Sequence, residues 1–312
     1  MPTGSGRPTI SQSEMKENIL REFKGATFTA DLTAHGAPLH ADENNVQKVL
    51  DHLRDNGVTQ GTLIGDADST MHAPRLPPEG FTTETKSYGA LTHLLDIVVR
   101  TANSCLTGQR YLETLRFYPH DAEMGDKVNS GSPLKPDILG LLHSRTPKIF
   151  WRDVAIFVEV KNQLVDAVNQ LAMYARSHLT LVRRRSFSIA MHFDHKELTL
   201  RFFCFHRSGL CGSLPLRFKD EDGFRSVVEH MVGIMSIRDE AAFGLDVTRI
   251  EDVYRLDNHN YEIVRTIQLR ESVRGHSTVV YSLQRAELSF SLVHSTYMSA
   301  FRTNRRCPRL SS

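Results

Sequence analysis

Cysteine is scarce in this chain: four in 312 residues, at positions 105, 204, 211 and 307. None stands in a C-x-x-C pair and none has histidine partners at zinc spacing. A disulfide-framed secreted module and a zinc ribbon are therefore excluded, and reduced thiols of an intracellular protein are expected. Long apolar runs are missing too. No stretch of 18 apolar residues occurs, and the opening MPTGSGRPTISQSEMK has no apolar signal core, so we expect no membrane partner and a place in the cytoplasm or nucleus. Nor does one sign of charge prevail. With 38 Lys+Arg against 36 Asp+Glu the net charge is +2, too balanced for a polyanion-coating protein. What remains, 40% hydrophobic and 24% charged residues, is an ordinary globular composition, and the length suggests two domains or one with extensions.

Residues 1–12 are rich in Gly, Ser, Pro and Thr and are expected to be disordered. Ser11 or Ser13 can cap a helix running to Phe23, and Asp42 opens a second, with Val46, Val49, Leu50 and Leu53 on one face and Asn56-Gly57 at its end. The loop-like segment that follows holds Pro74, Pro77 and Pro78, which mark a boundary. We therefore expect residues 1–78 to form a disordered start plus a helical extension, 79–243 a main domain, and 244–312 a third region. The main domain should open on a long helix from Thr83 carrying Tyr88, Leu91, Leu94, Leu95, Val98 and Val99, and close on a helix from Asp220 to Ile237.

The chemistry concentrates between Lys135 and Gln170. LKPDILGLL and VAIFVEVKN, joined by a polar turn with Trp151, read as consecutive strands of one sheet, and a helix carrying Gln170 follows. Alternation sends Glu159 and Lys161 to one face and Val158 and Val160 to the other. If the Asp137 strand pairs beside it, two carboxylates and one ammonium meet at a strand end. Mg²⁺ takes hard oxygen ligands and needs only one or two carboxylates, so Asp137, Glu159 and the Val160 carbonyl can hold Mg²⁺ or Mn²⁺ while Lys161 handles the attacking water. The alternative is a solvated salt-bridged face, worth little energetically.

Pro136-Asp137, then Glu159-Val160-Lys161, then Gln170 resemble the PD-(D/E)XK nuclease superfamily over roughly residues 84–218. The resemblance implies an α/β (α+β) sheet flanked by helices. It also implies metal-dependent phosphodiester cleavage by Asp137, Glu159 and Lys161, with Gln170 holding a metal-bound water or fixing Lys161. The helix ahead of the strands often brings one more acidic ligand in that superfamily. Glu84 is the candidate and Asp96 its rival, although Glu84 equally suits a helix N-terminus. Between Arg176 and Arg217 there are eight basic residues and two acidic ones. Arg183, Arg184 and Arg185 are thus candidates for contacting nucleic acid, or else a solvated turn.

Two strands around Arg274-Gly275-His276-Ser277 resemble the first hairpin of a protein kinase, where a glycine-rich turn covers ATP phosphates. The wider layout, including Phe205-His206-Arg207-Ser208-Gly209 and Gly275-His276-Ser277-Thr278-Val279-Val280, resembles the fungal-type protein kinase family from about residue 84 to 288. Departures are large. Only Gly275 is left of the glycine pattern, no lysine occurs after Lys219, and 37 residues follow Gly275, where a kinase fold needs about 250 residues in all. The expectation is a kinase N-lobe stub that neither binds ATP nor phosphorylates, its tail the product of a truncated gene model. Two functions follow: a Mg²⁺-dependent nuclease-like domain, or a non-catalytic interaction module that accompanies a kinase domain or another protein.

Overall fold

The computed structural model describes residues 25–34, 37, 39–58, 77, 80–126, 134–143, 146–182, 184–250, 253–256, 259–269, 279–285 and 293–295, with Glu14, Glu17, Asn18, Arg21 and Glu22 before them. Those five are helical, in line with the expected first helix; the expected disorder of residues 1–12, the proline-rich loop and the tail lie outside the described residues. The chain divides into two compact units, of which the first holds residues 1–247 and the second begins at Thr248.

The first unit is built on a mixed eight-stranded sheet. Its strands are β1 (Thr27–Thr29), β2 (Arg116–Pro119), β3 (Ile138–Leu141), β4 (Val154–Val160), β5 (Phe187–Asp194), β6 (Thr199–His206), β7 (Gly209–Gly212) and β8 (Leu216–Arg217). They lie in the order β1-β7-β6-β5-β4-β3-β2, with β8 also on β6. β4–β5 and β1–β7 run parallel and the other pairs antiparallel. The helices described are α1 (Glu43–Asp55), α2 (Glu84–Cys105), α3 (Leu164–Leu181) and α4 (Glu221–Met235). α3 is the crossover between the parallel pair β4 and β5, as a parallel connection requires.

Period-2 alternation splits the sheet into two faces. Ile156, Val158 and Val160 of β4, Ile189, Met191 and Phe193 of β5 and Leu200 and Phe202 of β6 share one core with the apolar stripes of α1, α2 and α4. Phe157, Ala190, Phe203 and Phe205 point the other way, into a second core with Leu171, Tyr174, Ala175 and Leu179 of α3. β4 is buried at every residue, so it reads as a continuous apolar run because both its faces are covered. Trp151, expected in a polar turn, is buried in a short 3₁₀ turn, Trp151–Asp153, where it packs on Phe157, Tyr174 and His178 at centroid distances of 5.9–6.0 Å.

The expected helical extension is corrected here. β1 is an edge strand of the main sheet, and α1 buries Val46, Val49, Leu50 and Leu53 in the same core as α2 and α4. A 13-residue helix cannot bury such a stripe alone, so the segment is built into the body rather than appended to it. The start of α2 is pinned by Gly80 and Phe81. Phe81 N–H donates to His195 O at 2.7 Å, and Gly80, at φ +80°, lies where any Cβ would sit 2.2 Å from Lys196 O. Only glycine accepts both constraints.

The second unit holds an antiparallel sheet of β9 (Arg249–Ile250), β10 (Val253–Leu256), β11 (His259–Leu269), β12 (Val279–Arg285) and β13 (Val293–Ser295), in the order β13-β12-β11-β10-β9. The expected hairpin is β11 paired with β12. Its turn, with Gly275, lies outside the described residues. Among the described residues no helix is long and apolar enough to cross a membrane.

Candidate functional site

β3 and β4 pair with Ile138 opposite Val158 and Leu139 opposite Phe157. Continuing that antiparallel ladder by one step sets Asp137 opposite Glu159, the register the sequence left open. Both carboxyls are buried, Asp137 at 7% exposure and Glu159 at 0%. Asp137 sits at the mouth of the strand pair, where Oδ2 accepts the Val160 N–H at 2.8 Å and Oδ1 accepts the Tyr88 hydroxyl of α2 at 2.5 Å. Glu159 turns toward α3, with Oε2 3.0 Å from the Tyr174 hydroxyl and Oε1 3.1 Å from the Lys161 ammonium. Lys161 also faces Glu84 at 3.7 Å. Its backbone extends the β4–β5 ladder, its N–H donating to Phe193 O at 3.0 Å. His192 Nε2–H donates to its carbonyl at 2.8 Å.

Tyr174 organises the inner wall. Its hydroxyl accepts from Gln170 Nε2 at 2.6 Å and lies 2.9 Å from Lys135 O. The phenol has one proton and a backbone carbonyl can only accept. When Tyr174 donates to Lys135, the Glu159–Tyr174 contact is satisfied by a proton on Glu159. Electrostatics agree: burial first, then the Asp137 charge, push Glu159 up to about 8, against the pull of Lys161 and Tyr174. Burial likewise raises Asp137, with the Tyr88 and Val160 hydrogen bonds acting in the other direction. Burial works against the Lys161 charge, yet Glu159, Glu84 and Asp137 outweigh it and raise its pKa. Tyr88 and Tyr174 are raised by burial and by the carboxyls beside them.

Among the described residues no group of three or more His, Cys, Asp or Glu side chains gathers as a metal cluster. Two carboxyls do meet, and their chemistry fits a hard divalent ion. They offer oxygen donors only, and burial holds each carboxyl toward its neutral form even with the Lys161 ammonium 3.1 Å from Glu159 Oε1, so an added cation would favour the ionised pair. Beside them opens a cleft of about 390 Å³ lined by Glu84, Lys161, Asn162, Gln163, Asn169 and Gln170.

The sequence-chosen residues divide clearly. Asp137, Glu159, Lys161, Gln170 and Glu84 gather at one end of the sheet. Asp96 does not, because its carboxylate accepts the Phe117 N–H of β2 at 2.8 Å. Arg183 lies outside the described residues. Arg184 is held in a two-pronged pair with Glu240 at 2.8 and 3.1 Å, and Arg185 is buried with its guanidinium 4.5 Å from the Phe243 ring. Arg176 is buried, and Arg207 donates to Leu179 O at 3.0 Å, so much of the basic stretch is engaged within the fold. Sequence reasoning missed the two phenols as partners of the carboxyls. The signal was present: Tyr88 lies four residues after Glu84 and Tyr174 four after Gln170, one helical turn in each case.

No curated protein and no solved structure matches the chain. A family model described as fungal protein kinase matches residues 138–299. That match begins one residue after Asp137, takes in Glu159, Lys161 and Gln170, and runs through the last strand of the second unit. It therefore takes in strands β3 to β8 of the first sheet, the strands of the second and slightly more than half of the sequence, and on that extent the chain belongs to the fungal protein kinase family.

Proposed function

We propose that the first unit is a nuclease-like domain of the PD-(D/E)XK kind, which holds Mg²⁺ or Mn²⁺ and acts on phosphodiesters of nucleic acid. The observation that carries this reading is the Asp137–Glu159 pair, set across two neighbouring strand ends with Lys161 between Glu159 and the cleft. Asp137, Glu159 and the Val160 carbonyl would hold the ion. When bound, it supplies positive charge at a phosphoryl oxygen. Lys161, one quarter exposed, presents its ammonium to the cleft, where it can bind and orient a phosphate oxygen and stabilise charge growing there. Glu84 holds that ammonium from the outer side, and Gln170 fixes Tyr174, which in turn sets the orientation of Glu159.

The test is cleavage of end-labelled single-stranded DNA, duplex DNA and RNA in millimolar Mn²⁺. Lys161→Ala and Asp137→Asn are each expected to lower the rate by about 100-fold or more. Cleavage that survives both substitutions would contradict the assignment.

A second reading has its own observation. Both oxygens of Asp137 already accept internal hydrogen bonds, and Lys161 already compensates Glu159. A closed network of this kind suits a domain that recognises a kinase domain or another protein without chemistry. Such a module gains no stability from divalent ions and cleaves none of the three substrates.

A further inference from the structure

We propose that the cleft at the start of α3 receives one unpaired nucleobase, recognised by Asn169, so that the domain acts on single-stranded nucleic acid. The inference rests on the phosphodiester reading for the phosphate at Lys161 but not for the base. The first observation is the chemistry of the lining. Four carboxamides, Asn162, Gln163, Asn169 and Gln170, surround a space of about 390 Å³. A carboxamide sets a donor beside an acceptor, the pattern displayed by the edge of a nucleobase. The volume lies near the small end of ligand sites, about 300–1,000 Å³, room for one nucleoside and not for a duplex.

The second observation is Asn169 itself. It is 3% exposed, it lines the cleft, and its Nδ2 has no hydrogen-bond partner among the described residues. A buried amide left in this state is costly, and a base carbonyl or ring nitrogen seated in the cleft would satisfy it.

Charge then decides between a base and a bare anion. The N-terminus of α3 opens here without a side-chain cap, and Lys161 is near, which would favour an anion. But Asp166 sits in the first helical turn and Glu84 beside Lys161, both lining the same cleft. With two carboxylates against one ammonium the interior favours a neutral, planar, hydrogen-bonding group, and Met173 adds a polarizable wall to it. The phosphate stays at the Lys161 rim.

The experiment measures binding by fluorescence anisotropy in EDTA, so that no metal chemistry is required. The probes are labelled hexamers of each of the four deoxynucleotides, an abasic phosphodiester hexamer of equal charge, and a duplex of the same length. Wild type is expected to bind at least one base-bearing hexamer about tenfold more tightly than the abasic strand or the duplex, the worth of one or two good hydrogen bonds. Asn169→Leu, which keeps the branched heavy-atom shape and removes the amide, should abolish that difference without lowering Tm. Asn162→Ala, at an exposed rim position, should reduce it and leave folding intact.

Equal binding of abasic and base-bearing strands would overturn the proposal, as would competition by an uncharged Gly/Ser peptide as effective as the oligonucleotide. The two readings fail separately. A base preference in EDTA with no cleavage in Mn²⁺ removes the nuclease and leaves the base pocket standing. Cleavage with no base preference does the reverse.

Discussion

Trp151→Ala is expected to lower the stability of the first unit by about 3–5 kcal/mol, the usual cost of deleting a buried aromatic side chain. Trp151 is the single tryptophan of the chain and is 1% exposed. It packs edge-on against Phe157, tilted against Tyr174, and beside His178, which is itself fully buried and held neutral by that burial. Its position is fixed at both ends. The Trp151 N–H donates to Asp126 Oδ1 at 2.9 Å, and the Phe150 N–H to Asp153 Oδ2 at 2.9 Å. The turn therefore cannot collapse onto the cavity that the substitution leaves. Urea unfolding followed by circular dichroism reads the effect as a lower midpoint at unchanged slope. Because Tyr174 loses one wall, the loss should extend to the site. Trp151→Phe, which keeps ring contact with Phe157, should cost clearly less. A change under about 1 kcal/mol for the alanine variant would mean that the turn is not packed as described.

The second large effect is on pH dependence. Glu159 is held near 8 in the folded chain against an ordinary value of 4.5. Between those values the folded protein keeps a proton that the unfolded chain has released, so raising the pH favours unfolding. The stabilisation is complete below about pH 4.5 and is lost as pH climbs through 8, at up to about 1.4 kcal/mol per pH unit. Asp137, also raised by burial, acts in the same direction. Buried histidines act in the opposite one. His178, His192 and His230 are all lowered by burial, and they weaken the fold as the pH falls through the histidine range. Subtracting the profile of Glu159→Gln removes that common background. In EDTA between pH 5 and 8.5, the wild type is expected to lose Tm relative to Glu159→Gln as pH rises. Parallel profiles would show that Glu159 does not hold its proton.

Much of this arrangement was legible in the sequence, for identifiable reasons. β4 announced itself as VAIFVEV, because a strand covered on both faces must be almost wholly apolar, Glu159 being the exception. α1, α2, α3 and α4 each carried a 3.6-period stripe. The pairing of Asp137 with Glu159 could be framed but not decided, since a one-residue slip would have turned them to opposite faces.

The role of β1 was hidden for another reason. A three-residue strand has no pattern of its own, and it joins the sheet only through β7, some 180 residues later. Trp151 looked polar because the joining segment SRTPKIFWRD is mostly charged and turn-forming; burial was decided by the aromatic side chains of β4 and α3, which local sequence does not reveal. Arg184 and Arg185 looked like a surface for polyanions, yet Glu240 and Phe243, more than fifty residues on, take them up. Tyr88 sat within the apolar stripe of α2, where a hydroxyl is easily read as part of the core, and Tyr174 was legible only as a neighbour of Gln170 on one helix face. Their spacing from Glu84 and Gln170 was the available clue.

The proposed divalent-metal site at Asp137 and Glu159 has a thermodynamic readout. The direct measurement is thermal unfolding of wild type and Glu159→Gln at pH 7.5, each in EDTA and in millimolar Mn²⁺. An ion that binds only the folded state must stabilise it. Wild type is expected to gain several degrees in Mn²⁺, and Glu159→Gln none. Equal shifts in both proteins, or no shift in wild type, would contradict the proposed site and leave the carboxyl pair as part of a binding module.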